Sequence, residues 1–109
     1  MVSMDDFNKV DMRIGTVTEV SINKNARKPA YKLKIDFGDE IGIKTTSAQI
    51  TALYNEENLL GRQVVAVVNF PPRQIVDVKS EVLVLGSNSE QGIVLLRPTD
   101  TVNNGERIC

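Results

Sequence analysis

Tyr31-Lys32-Leu33-Lys34-Ile35-Asp36-Phe37 alternates apolar and charged residues at every step. Period two marks a strand with one face in a core, so Tyr31, Leu33, Ile35 and Phe37 are read inward and Lys32, Lys34 and Asp36 outward. The two lysines then stand about 6–7 Å apart on the open face, a spacing similar to that between successive phosphates of a nucleic acid strand.

The flanks carry the same signal further. Between Asn23 and Ile35 stand five cations, Lys24, Arg27, Lys28, Lys32 and Lys34, with no acid, in a chain of formal net charge −1. Such an island marks one positive face, suited to phosphate or an acidic peptide; the plainer alternative is a solvated strand face. Ala26-Arg27-Lys28-Pro29-Ala30 reads as a loop. Pro29 has no N–H for a ladder and holds Lys28 extended, which brings Arg27 and Lys28 to a loop tip beside the basic strand. Upstream, Ser3 and Asp6 have capping-box spacing for a helical turn anchored by Phe7. Residues 12–20 read as the first strand, with a bulge or bend expected at Gly15. Downstream, Gly38-Asp39-Glu40 is expected to turn. Residues 41–46 form a third strand, with Lys44 and Thr46 on the face opposite Ile41, Ile43 and Thr45. Ser47 is read as the N-cap of a short helix over residues 48–54.

Val64-Val65-Ala66-Val67-Val68 is apolar throughout, a strand buried on both faces. It ends at Asn69-Phe70-Pro71-Pro72, where paired prolines cannot continue a ladder. Val82-Leu83-Val84-Leu85 reads as another buried strand, closed by the turn Gly86-Ser87-Asn88-Ser89. Ile93-Val94-Leu95-Leu96 reads as one more, and Asn103-Asn104-Gly105 as a turn. Three strands, a short helical connection and further strands is the order of an OB-fold: all-β, a five-stranded Greek-key barrel with short helical connections. The chain from about Gly92 onward exceeds what five strands need. An extra C-terminal hairpin is expected there, covering an edge or pairing with another subunit. Burial of its apolar strand across a two-fold axis predicts a homodimer.

With 109 residues, 41% hydrophobic and 25% charged, the chain suits one soluble domain over residues 1–109. No apolar run approaches the roughly 18 residues of a spanning helix, and the N-terminus lacks a signal-peptide pattern, so a cytoplasmic location without membrane insertion is expected. The chain has no histidine and a single cysteine, Cys109. That removes the usual proton-transfer triads and zinc sets, so no metal, no cofactor and no catalytic residue is expected.

Two candidate surfaces follow. Lys32, Lys34 and Lys44 on strands two and three, with Lys24, Arg27 and Lys28 on the preceding loop, occupy ligand positions of an OB-fold. Thr46, Ser47 and Gln49 join them as hydrogen-bond donors to phosphate or a base edge, helped by a helix N-terminus; an ordinary N-cap explains Ser47 equally well. The aromatics are few and Tyr31, Phe37 and Tyr54 read as core, which fits folded RNA bound by shape better than stacked single strands. The second surface is Asn69, Phe70, Pro71, Pro72 and Arg73. It reads either as a stiff turn or as a rigid apolar wall beside a pocket for peptide side chains.

Four segments carry a resemblance in order: Asp11-Met12-Arg13-Ile14-Gly15-Thr16-Val17, Thr46-Ser47-Ala48-Gln49, residues 61–70 from Gly61-Arg62-Gln63 to Asn69-Phe70, and Ser80-Glu81-Val82-Leu83-Val84-Leu85-Gly86. Over nearly its whole length the chain resembles the tRNA-binding, EMAP-II-like OB domain family. Within it, Ala26-Arg27-Lys28-Pro29-Ala30-Tyr31-Lys32-Leu33, Ile35-Asp36-Phe37-Gly38 and residues 68–75 look like the CsaA-type branch of export-related chaperones. Synthetase-type members carry a His-Pro-Asn-Ala-Asp-like loop where this chain has Lys24-Asn25-Ala26-Arg27-Lys28-Pro29, without the histidine. The resemblance implies a homodimer, a cytoplasmic location, no catalysis, and two kinds of ligand. These are unfolded or export-bound polypeptides, and tRNA or other folded RNA held by strands two and three and their loops.

Overall fold

The computed structural model describes residues 1–25 and 27–109; Ala26, in the basic loop, lies outside the described residues. The capping box forms as its spacing predicts, with Ser3 Oγ accepting from the Asp6 N–H, and starts α1 (Met4–Lys9), on which Phe7 is half-buried. The alternating stretch forms β2 (Tyr31–Asp36), between β1 (Met12–Ile22) and β3 (Ile43–Ala48). With β4 (Gln63–Val67) and β7 (Leu83–Val84) these make a five-stranded sheet in the order β3-β2-β1-β4-β7, antiparallel throughout. The sheet curls until its edge strands β3 and β7 approach each other, an OB-like barrel.

The core lies inside this curl. Val17, Leu33, Ile35, Phe37, Leu59 and Val64 are almost wholly buried, and Tyr54 and Leu95 join the same cluster. The run from Val64 to Val67 is buried on both faces, as its composition predicts. Removing that apolar surface from water drives the collapse, at about 25 cal/mol per Å².

Several local expectations give way to packing. The bulge in β1 lies between Val17 and Glu19, not at Gly15. Gly15 instead allows close approach: a Cβ there would sit 2.7 Å from side-chain carbons of both Ile35 and Phe37. Residues 38–40 do not simply turn but begin α2 (Gly38–Ile41), ended by Gly42 at φ +86°. No helix spans 48–54. Ser47 and Ala48 belong to β3, and the helix is α3 (Glu56–Leu59), started by a reciprocal Asn55–Asn58 capping box. The reason is tertiary. Tyr54 must bury its ring, accept the Leu95 N–H at its hydroxyl and offer its carbonyl to Tyr31 Oη, which delays the helix until Glu56.

The second half also departs from its apolar pattern. Leu83 is half exposed, although its neighbours suggest a strand buried on both sides. Residues 86–89 are not a turn but β8 (Gly86–Ser89), paired with β9 (Gly92–Leu95), so the extra hairpin lies upstream of its expected place from about Gly92 onward. A second hairpin, β5 (Arg73–Ile75) with β6 (Val78–Ser80), follows the two prolines. The tail beyond the Asn104-Gly105 turn pairs with β1, through Ile14 N–H to the Glu106 carbonyl and Ile108 N–H to the Met12 carbonyl.

Candidate functional site

The barrel closes between β3 and the chain leading into β7, and Thr46 is the clasp. Its hydroxyl donates to the Val82 carbonyl at 2.8 Å and lies 2.7 Å from Ser80 Oγ, which in turn accepts the Ser47 N–H. Beside it the Glu81 N–H donates to the Thr45 carbonyl at 2.8 Å, and Glu81 Oε1 accepts the Thr45 N–H. Thr46 is 1% exposed, so it offers nothing to an outside ligand, contrary to its expected role as an RNA donor.

Past the clasp the seam opens into a groove of about 670 Å³. One wall is Ser47, Gln49 and Ile50 at the end of β3. The facing wall is Leu83 to Gly86 with Ile93 and Leu95, and Phe70, Pro71 and Arg73 form the rim. Phe70 is 47% exposed and Leu83 50%. The groove therefore unites Phe70, Pro71 and Arg73, expected for peptide, with Thr46, Ser47 and Gln49, expected for RNA.

Asn69 and Pro72 do not line it. The Asn69 amide is engaged elsewhere. Its oxygen accepts the Asp11 N–H at 2.9 Å and its nitrogen donates to the Lys9 carbonyl at 2.7 Å, tying the loop to the α1–β1 junction. Asp11 also pairs with Arg13 Nε at 2.6 Å and lies 3.7 Å from Arg107 Nε. The hydrogen bond from Arg13 holds the Asp11 carboxyl below the usual carboxylate range against the cost of its desolvation, with both arginine charges adding to the effect.

The basic face is a separate surface. Lys32 and Lys34 share a face as expected, and opposite them on β3 stand Ser47 and Thr45. Lys44 does not join them. It lies across from Ile35, on the inward parity of the sheet, and reaches over the seam to Glu81 at 3.9 Å. The expected order of this strand is inverted: Thr46 turns in and Ile43 out, 60% exposed, because Thr46 pairs with the core residue Leu33. Lys34 is held by Glu19 at 3.2 Å. Lys32 borders two hollows, of about 390 Å³ with Glu19, Glu56 and Lys34, and about 260 Å³ with Lys24 and Asp77. Lys24, Arg27 and Lys28 are exposed. Lys24, Arg27, Lys28 and Lys32 form no ion pair among the described residues.

Sequence reasoning missed Ser80, Leu83 and Ile93 as parts of the groove. Ser80 carries no pattern of its own. Leu83 sits in an unbroken apolar run, which cannot report that one face is open.

Among the described residues no helix is long and apolar enough to cross a membrane. A family model described as a tRNA binding domain matches residues 12–107. The fold superposes on the CsaA chaperone protein of Picrophilus torridus with a TM-score of 0.95 and 51% identity, over 100% of both chains. It superposes on the chaperone CsaA of Bacillus anthracis with a TM-score of 0.93 and 52% identity, over 100% of this chain and 99% of the other. The methionine–tRNA ligase of Pyrococcus abyssi is 36% identical over 107 residues, covering 98% of this chain but only 14% of the ligase, so the chain spans about one seventh of that enzyme.

Proposed function

The chain belongs to the tRNA-binding domain family, and from that premise we propose that it is a non-catalytic chaperone whose seam groove holds unfolded or export-bound polypeptide. The observation that carries this reading is the groove itself. It is apolar, has Phe70 half exposed at its rim, and is large enough for several side chains. Phe and Pro walls lose little conformational entropy on binding, which favours weak, broad recognition of extended chains. The likeness to two CsaA chaperones at 51% and 52% identity supports it. The working form proposed is a cytoplasmic homodimer, with Leu96 and Val94, both over two-fifths exposed, available to a two-fold contact.

A second reading, tRNA binding, is favoured by the family match and by the cations Lys24, Arg27, Lys28 and Lys32, which form no ion pair among the described residues. The experiment measures binding of a permanently unfolded, reduced polypeptide and of tRNA at rising salt. Polypeptide binding should persist, since apolar burial is not screened, whereas tRNA affinity should fall steeply. tRNA binding without polypeptide binding would overturn the chaperone reading.

A further inference from the structure

At the seam the barrel's hydrogen bonding stops before its strands do. Thr45 and Ser47 turn their backbone groups away from β2, and three of these are taken by Glu81 and Ser80. The fourth, the Ser47 carbonyl, finds no partner among the described residues, nor does the N–H of Gln49, two residues on. On the facing strand, Leu85 donates to the Val65 carbonyl at 2.9 Å, which fixes the parity of β7. Val84 therefore directs its N–H and carbonyl away from β4, into the groove, where no partner meets them among the described residues. Unpaired backbone groups beside an apolar surface template a further strand.

We propose that the polypeptide enters this groove as an added β-strand, hydrogen-bonding the Ser47 carbonyl and Gln49 N–H, and places alternate apolar side chains against Leu83, Ile93 and Phe70. This rests on the chaperone reading and specifies its substrate: extended, β-prone segments rather than helices or free side chains. The rim adds a charge preference. Glu81 is compensated by Lys44 at 3.9 Å, whereas Arg73 makes no ion pair among the described residues. An acidic residue flanking the apolar stretch would meet Arg73 and leave the inserted strand unpaired with no other charge. A groove of about 670 Å³ falls within the range of roughly 300–1,000 Å³ typical of sites for short ligands.

The test uses a labelled decapeptide of alternating valine and threonine with one terminal glutamate, read by fluorescence anisotropy on the whole chain. Each amide is N-methylated in turn. Methylation should cost about tenfold in affinity at the amides that meet the Ser47 or Val84 carbonyl and little elsewhere, because those carbonyls are the acceptors left free on the two walls. Gln49→Pro, which removes the N–H, should weaken the parent peptide about tenfold, while Gln49→Ala, which keeps it, should not. The methylation series keeps the test valid should Gln49→Pro unfold. Binding that tolerates methylation everywhere would overturn strand addition while leaving the chaperone reading in place. No binding of either the decapeptide or a longer unfolded polypeptide would overturn both. Peptide that binds only by converting a dimer to monomers would assign the groove to a second copy and overturn the proposal.

Discussion

Along β3 the seam changes character within two residues. At Thr45 the outward backbone N–H and carbonyl are both matched by Glu81, at Thr46 the hydroxyl is matched by Ser80 and the Val82 carbonyl, and the side chain of Thr46 is sealed from water. At Ser47 and Gln49 the facing chain departs, the Ser47 carbonyl and Gln49 N–H have no partner among the described residues, and Leu83 and Phe70 stand half exposed. The same strand is structure at one end and surface at the other. A polar residue next to a binding groove is thus no guide to binding; the separator is whether its groups are already paired.

Thr46→Val breaks the comparison at its closed end and should have the largest effect. It leaves the Val82 carbonyl unpaired in a buried site, at about 1–3 kcal/mol. Denaturant unfolding should register that loss; a variant as stable as the parent would mean the seam is held by something other than this clasp. Phe70→Ala probes the open end. Affinity for an unfolded polypeptide should drop about tenfold, equivalent to about 1.4 kcal/mol, with a stability loss well short of the roughly 3–5 kcal/mol of a buried Phe. Unchanged polypeptide affinity in a folded variant would remove Phe70 from the site.

The basic face offers a smaller contrast, between a free lysine and a paired one. Each phosphate contact contributes about 0.7–0.9 to the slope of log affinity against log salt. Lys32→Ala should lower the tRNA slope by that amount. Lys34→Ala should lower it less, because Glu19 already competes for its ammonium at 3.2 Å. Equal effects from the two would show that Glu19 swings away on binding. The smallest effect expected is on pH. Asp11 titrates lower in the folded protein than in the unfolded chain, so the stability it contributes is fully present above the ordinary carboxylate range. That contribution is lost as pH falls through its depressed folded value. Asp11→Asn should lower stability by a small constant amount near neutrality and flatten the acid limb below about pH 4, where the parent loses the same contribution.

The alternation of residues 31–37 was enough to place β2, the direction of its lysines and much of the core, because side-chain period follows from backbone geometry alone. The capping box at Ser3, the doubly buried β4 and the tail turn at Asn104 were likewise readable, since each rests on neighbours close in sequence. The absence of histidine and the single terminal cysteine narrowed the chemistry before any coordinates. What the tertiary structure alone decided depended on contacts distant in the chain. Thr46 turned inward because Leu33 lies opposite it and the Val82 carbonyl, 36 residues away, accepts its hydroxyl hydrogen bond. The helix expected after Ser47 moved to Glu56 because Tyr54 had to reach Tyr31 and Leu95. The groove was visible in neither of its walls separately, for an apolar run reads the same whether its face is covered or open. Only the closing of the barrel, complete at Thr46 and incomplete at Gln49, determined which part of that apolar surface would remain exposed for a ligand.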